Sequence, residues 1–284
     1  MSRENIKTVK ISSADYPKML KEIADPPQAI NFLGEIMAHE DKPKIAIVGT
    51  RKATRYGIEA ALSLARELSS MGVIIVSGLA MGVDTAAHKG ALEGGSPTWA
   101  VLGSGILNIQ PTINRGLARK IIETGGAIIS EYEHTHPADK WTFPQRNRIV
   151  AGLAKATIVV EAPEKSGALI TADLAMQYNR DVGAVPGETT SINSRGTNLL
   201  IKNGAAIIRN AGDALELIGL DAESARLDNL DELENNILRH LSKPQSADEL
   251  TELLNQNISA INQKLSTLEI KGAIKNNAGL FYKI

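Results

Sequence analysis

The chain contains no cysteine, which excludes disulfides, thiolate zinc sites and cysteine nucleophiles. Aromatic residues are scarce, with 3 Phe, 2 Trp and 5 Tyr among 284 residues. No apolar run approaches the roughly 20 residues that a membrane-spanning helix needs. The start, Met1-Ser2-Arg3-Glu4-Asn5, lacks the apolar centre of a secretory signal, so a soluble cytoplasmic protein with no membrane partner is expected. Internal repeats and low-complexity tracts are also missing. What the chain does have is 43% apolar content, enough for a folded globular core. The net charge of −1 conceals an uneven distribution, because residues 44–210 carry 18 basic and 13 acidic groups whereas residues 211–284 carry 7 and 12. A polyanion, if one binds, is expected on the middle segment.

That middle segment reads as alternating strands and helices. Ile45-Ala46-Ile47-Val48 and Val73-Ile74-Ile75-Val76 are buried-type runs, separated by an amphipathic helix over about 56–71 with Ile58, Ala61, Leu62, Ala65 and Leu68 on its stripe. Further strands are expected at 98–102, 127–130, 157–161, 181–185 and 205–208. Helices fill the intervals near 83–93, 114–124, 145–154, 168–178, 196–203 and 212–218. Continuous apolar strands with helical spacers imply an α/β fold, a doubly wound parallel sheet of Rossmann-like type over residues 44–220. Residues 1–43 contain the helix-breaking Asp25-Pro26-Pro27 and read as an extension packed on this domain, contributing an edge strand or a short helix. Residues 221–230 read as a polar linker. Residues 231–284 read as three helices near 231–241, 246–254 and 258–269, followed by a hairpin turning at Asn276-Asn277-Ala278-Gly279, the pattern of a small winged-helix domain.

In an open α/β sheet the loops at the carboxyl ends of the strands gather on one rim, where ligands bind. Those loops carry Gly49-Thr50-Arg51-Lys52, Gly78 with Gly82, Gly103-Ser104-Gly105, Lys165-Ser166-Gly167 and Asn193-Ser194-Arg195-Gly196. Backbone amides at glycine turns and helix starts can hold phosphate oxygens while Arg and Lys neutralise charge. Any one glycine reads equally well as turn geometry; recurrence on a single edge is what points to an anionic ligand. The stretch 140–148 is the most informative, because Trp141 and Phe143 fall among Lys140, Arg146, Asn147 and Arg148. A base stacked on a ring with its phosphates held by cations needs this mixture. Phe143 is the favoured stacking residue, Trp141 has packing as its alternative, and Asn147 is placed either to cap a helix or to bond a phosphate. Catalysis finds little support, since Asp84, Glu131, Glu133 and Glu161 have no evident nucleophile or partner carboxylate. His134 and His136, two apart near Glu131 and Glu133, read as a solvated loop rather than a metal site. No cofactor or metal is expected.

Several motifs in order resemble the DNA-processing protein A (DprA/Smf) family: Val48-Gly49-Thr50-Arg51, Ser77-Gly78-Leu79-Ala80-Met81-Gly82-Val83-Asp84, Phe143-Pro144-Gln145-Arg146-Asn147-Arg148, Ser166-Gly167-Ala168-Leu169 and Ser194-Arg195-Gly196-Thr197-Asn198. The resemblance covers about 11–210 and implies an extended Rossmann-like domain that binds single-stranded DNA. It also implies loading of the RecA recombinase in natural transformation, and homodimers formed through this domain. By motif position Arg51, Lys140 and Phe143 resemble the family's DNA-contacting arginine, lysine and stacking aromatic, while Gly49, Gly78 and Ser166 fall at its phosphate-pocket positions. The sequence departs from the family at Gln110-Pro111 ahead of Asn114, where a Tyr-Pro is usual, and only 43 residues precede the first strand of the middle segment, so the helical amino-terminal domain of many members is not expected. The acidic carboxyl-terminal segment, with Lys264 as the only cation over 259–269, suits protein contact better than groove reading. The expected function is therefore a non-enzymatic single-strand binder. The competing class is a nucleotide-processing N-glycosidase of the LOG-like Rossmann group, which would require a catalytic Glu where Thr171 stands.

Overall fold

A computed structural model describes residues 5–221, 232–270, 273–277 and 279–283. The chain divides into two compact units, the first ending at Asp221.

The first unit opens with β1 (Lys7–Lys10), the short helix α1 (Lys18–Lys21) and β2 (Ala29–Gly34). The alternation then runs β3 (Lys44–Val48), α2 (Arg55–Ser70), β4 (Ile74–Ser77), α3 (Val83–Gly94), β5 (Thr98–Val101), α4 (Arg115–Glu123) and β6 (Ala127–Ser130). It continues with α5 (Thr142–Gly152), β7 (Ala156–Val159), α6 (Gly167–Gln177), β8 (Asp181–Ala184), α7 (Arg195–Lys202), β9 (Ala206–Ile207) and α8 (Ala211–Leu217). Every residue of β3 to β7 is buried, as continuous apolar runs in a sheet covered on both faces require. The strand order is β1-β2-β6-β5-β4-β3-β7-β8-β9. All pairings from β6 to β9 are parallel, and β1 and β2 join antiparallel at the β6 edge. The extension thus supplies two strands of the main sheet.

The strand order turns back between β3 and β7. Strands β4, β5 and β6 progress to one side of β3, then β7, β8 and β9 to the other. The loops after β3 and β7 consequently diverge, leaving a crevice at the carboxyl edge.

Two details differ from the sequence reading. Helix α5 begins at Thr142, three residues early, with Pro144 in its first turn, where a missing N–H leaves no bond unmade. On α2 the buried face is Gly57, Ala61, Leu64, Ala65 and Leu68, with Ile58 and Leu62 only half-buried. The helix is rotated to press its backbone on α3, where a Cβ at Gly90 would meet the Leu62 carbonyl oxygen at 2.2 Å and one at Gly94 the Arg66 oxygen at 2.3 Å.

The second unit holds α9 (Glu232–His240), β10 (Gln245–Ser246), α10 (Ala247–Leu254), α11 (Ile258–Ile270), β11 (Ile274–Asn277) and β12 (Leu280–Lys283). The strands pair antiparallel in the order β10-β12-β11. Ile237, Leu250, Ile261, Leu265 and Leu268 form its core. Ser246 and Glu249 make a capping box on α10. Lys264 Nζ lies 3.7 Å from the buried carboxylate of Glu234. From residue 222 onward the expected linker falls outside the described residues, as does Ala278 of the expected turn; Asn277 pairs with Leu280 across that turn.

Candidate functional site

A cleft of about 430 Å³ lies at the reversal point of the sheet, lined by Gly49, Thr50 and Arg51 after β3, Gly78 and Ala80 after β4, and Pro163, Lys165, Ser166 and Gly167 after β7. Lys140, Phe143, Pro144, Arg146, Asn147 and Val150 enter it from the start and one face of α5. Arg51, Lys140 and Phe143, the three residues on which the sequence argument rested, therefore share one cavity.

The β3–α2 loop is anchored from below. The Glu161 carboxylate accepts from the Thr54 amide at 2.8 Å and from its hydroxyl at 2.7 Å, and the Thr50 amide donates to the Glu161 carbonyl at 2.7 Å. Glu161 is thus consumed in holding the turn that projects Arg51. The Arg51 guanidinium lies over the Phe143 ring, 4.7 Å from its centroid, a cation–π arrangement. Arg51, Lys140 and Lys165 are exposed and form no ion pair among the described residues. Three exposed cations without ion-pair partners, set against the single buried carboxylate of Asp84, face one cavity and favour an anion. On the β7 side of the cleft, Ser166 caps α6 by accepting from the Ala168 amide at 3.3 Å, and the positive end of that helix opens on the cleft at Gly167. Sequence reasoning named Lys165 on this rim without counting it as a contact; its place just before a helix start was the available signal.

Arg146 does a different job from the one expected. It is 4% exposed, and its Nη1 donates to the Gly78 carbonyl at 2.8 Å and to that of Val101. It ties the ends of β4 and β5 to α5. Burial pushes its pKa down to about 10, with Arg51 acting in the same direction and Asp84 opposing. Asp84 sits beside it on the cleft floor and accepts from the amides of Gly78 and Ala80 at 3.1 and 3.4 Å. Burial raises the Asp84 pKa, and the nearby Arg146 charge opposes that. Gly78 fits between them because a Cβ there would meet Arg146 Nη2 at 2.6 Å and Asp84 Oδ2 at 2.7 Å.

Four expected contacts do not line the cleft. Arg148 points the other way: its Nη2 lies 2.5 Å from Glu131 and its Nε 3.0 Å from Asp25, so it pins the amino-terminal extension to the sheet. Gly82, at φ 78°, lets α3 approach the β3 loop, since a Cβ would meet the Thr50 carbonyl oxygen at 2.3 Å. Lys52 and Arg195 are exposed and absent from the cleft lining; the loop carrying Lys52 and the turn leading into α7 at Arg195 are joined by the Asn193 amide donating to the Lys52 carbonyl at 3.0 Å. Asn147 does line the cleft but lies inside α5, so it caps nothing there; its side-chain amide donates to the Gly167 carbonyl at 3.2 Å. At Gln110-Pro111, the departure from the family pattern, Asn114 is buried and donates to the Leu79 carbonyl at 2.8 Å and to Thr85 Oγ1 at 2.9 Å.

Fold and site together define a Rossmann-like α/β protein with a cationic cleft at the turning point of its strand order. The chain belongs to the DNA recombination-mediator protein A family, whose description matches residues 7–219. A relative from Synechocystis, Protein Smf, is 41% identical over 208 residues, which is 72% of this chain and 52% of that protein. The chain thus spans about half the length of that relative. The X-ray structure of DNA processing protein A from Streptococcus pneumoniae superposes with a TM-score of 0.70 at 36% identity, covering 75% of this chain and 74% of that one. DNA processing protein A from Helicobacter pylori, described for its single-stranded DNA binding mode, gives a TM-score of 0.66 at 33% identity over 75% of this chain and 94% of that one. No described helix is long and apolar enough to cross a membrane.

Proposed function

We propose that the cleft grips an unpaired DNA strand, and that the chain is a cytoplasmic, non-enzymatic single-strand binder that protects incoming DNA and loads the RecA recombinase during natural transformation. The observation that carries this reading is the convergence of Arg51, Lys140 and Phe143 on one cavity. Cations without partners track the backbone while the ring takes a base, a combination indifferent to base identity. The H. pylori relative's single-stranded DNA binding supports the same ligand. Asp84 is the sole carboxylate among the cleft-lining residues, and its hydrogen bonds to backbone amides leave it a structural role, which favours binding over hydrolysis. Homodimerisation places two such clefts on one strand and adds avidity. The second unit, read as a winged helix, contacts proteins: the one cation within α11, Lys264, is engaged by Glu234.

Titrating labelled oligothymidylate tests the reading. With three cations facing the strand, log K falls against log salt with a slope of about −2. Phe143→Ala weakens binding by roughly tenfold, and Arg51→Ala flattens the salt slope by about 0.7. Duplex competes poorly. Wild-type affinity in both variants overturns the assignment.

A further inference from the structure

We propose that Trp141 is a second stacking platform, taking the base adjacent to the one on Phe143, so that at least two consecutive nucleotides are held at the start of α5. The inference rests on the reading of the cleft as a strand site and extends it past the cavity wall.

Of the two tryptophans, Trp99 is fully buried, whereas Trp141 is 57% exposed. An indole that merely filled a core would not leave more than half its surface in water. Nor is the ring loose. It stands edge-on to Tyr132 and His136, with centroids 6.1 and 6.2 Å away and interplanar angles of 83° and 73°. Those two rings are stacked on each other at 4.8 Å and 12°, and the Tyr132 hydroxyl donates to Gln145 Oε1 at 3.0 Å. Edge-to-face bracing fixes the indole plane while leaving surface uncovered, so little side-chain freedom remains to be lost when a base arrives.

Placement does the rest. Trp141 occupies the N-cap position of α5, between Lys140 and Phe143, which both line the cleft. Two residues apart, the Trp141 and Phe143 Cα atoms are separated by at most about 7 Å. On the helical period Trp141 falls on the side of α5 away from Phe143, outside the cleft lining, so a strand leaving the Phe143 ring past Lys140 reaches the indole by rounding the start of the helix. Aromatic residues alternating with a cation along one short segment form the arrangement that single-strand grooves use to hold successive bases.

Full-length protein titrated with unlabelled oligothymidylate of about 12 nucleotides, a length within known groove sizes, provides the test. Trp99 is enclosed, so a change in tryptophan emission reports Trp141. The expected result is quenching that follows the binding curve measured by anisotropy. Trp141→Ala loses the quenching and weakens binding by about tenfold, while Trp141→Phe recovers most of the affinity. Binding with unchanged Trp141 emission, or wild-type affinity in Trp141→Ala, overturns the proposal. Affinity that depends on Phe143 and ignores Trp141 overturns it alone, whereas a wild-type protein that binds no single strand overturns the cleft reading with it.

Discussion

Replacing Arg146 by alanine separates the two arginine roles in this site. Its guanidinium is almost fully enclosed and donates to the Gly78 and Val101 carbonyls. Removal leaves those acceptors unpaired and strips Asp84 of the charge that offsets its burial. Breaking a buried charge pair in this way costs about 3–5 kcal/mol. For a unit of this size each kcal/mol shifts the melting point by about 2–4 °C, so a drop of roughly 6–20 °C is expected. Arg51→Ala is the control: exposed, with its guanidinium over the Phe143 ring, it changes stability by less than about 1 kcal/mol while weakening strand binding. The pH dependence adds a signature. Without Arg146 the Asp84 pKa rises further, so the folded variant binds its proton over a wider range than wild type. The stability gap between the two therefore widens as pH rises through that range and closes as pH falls. Thermal melts monitored by circular dichroism, taken across pH for both proteins, measure it. An Arg146→Ala protein that melts like wild type yet binds DNA poorly would refute the buried role and return Arg146 to the strand.

Arg148→Ala should destabilise by about 3 kcal/mol or more, because the enclosed Glu131 loses its partner, and leave oligothymidylate affinity of the folded protein unchanged. His88 is fully buried, which with the Arg146 charge lowers its pKa to about 3. The unfolded chain thus binds a proton that the native state refuses, and stability falls as pH drops below the ordinary histidine value of 6.5, by up to about 1.4 kcal/mol per pH unit; a His88→Asn protein melted at the same pH values should lose that slope. Gly82→Ala forces a side chain into a left-handed conformation against the Thr50 carbonyl, at a cost of roughly 1–3 kcal/mol. Because the displaced loop carries Arg51, strand affinity falls with it in the anisotropy titration.

The parallel strands were legible because burial on both faces writes most of them as runs dominated by Ile, Val and Ala. The first strand was legible only as an edge strand or short helix somewhere in residues 1–43, since Lys7-Thr8-Val9-Lys10 turns only Val9 inward and carries too weak a pattern to be placed. At the site, composition identified the right loop but not the direction of each side chain. Arg146 and Arg148 look equivalent as charges. Once α5 is known to start at Thr142, the helical period puts Phe143, Asn147 and Val150 on one face and Arg148 on the opposite one, as found. Reading the helix start at 145 concealed that. Arg146 was beyond sequence alone, since its burial comes from the ends of β4 and β5, distant in the chain.

At one margin of the sheet, β1 presents exposed Lys7 and Lys10, charges that discourage another strand from adding there. At the other margin, β9 is two residues long, too short to template more than a single rung of pairing. A second protomer seeking to extend this sheet finds no usable seam on either side. Pairing along the sheet is thereby disfavoured at both margins, and the surfaces left for contact are side chains on helices and loops, open to tuning by individual substitutions.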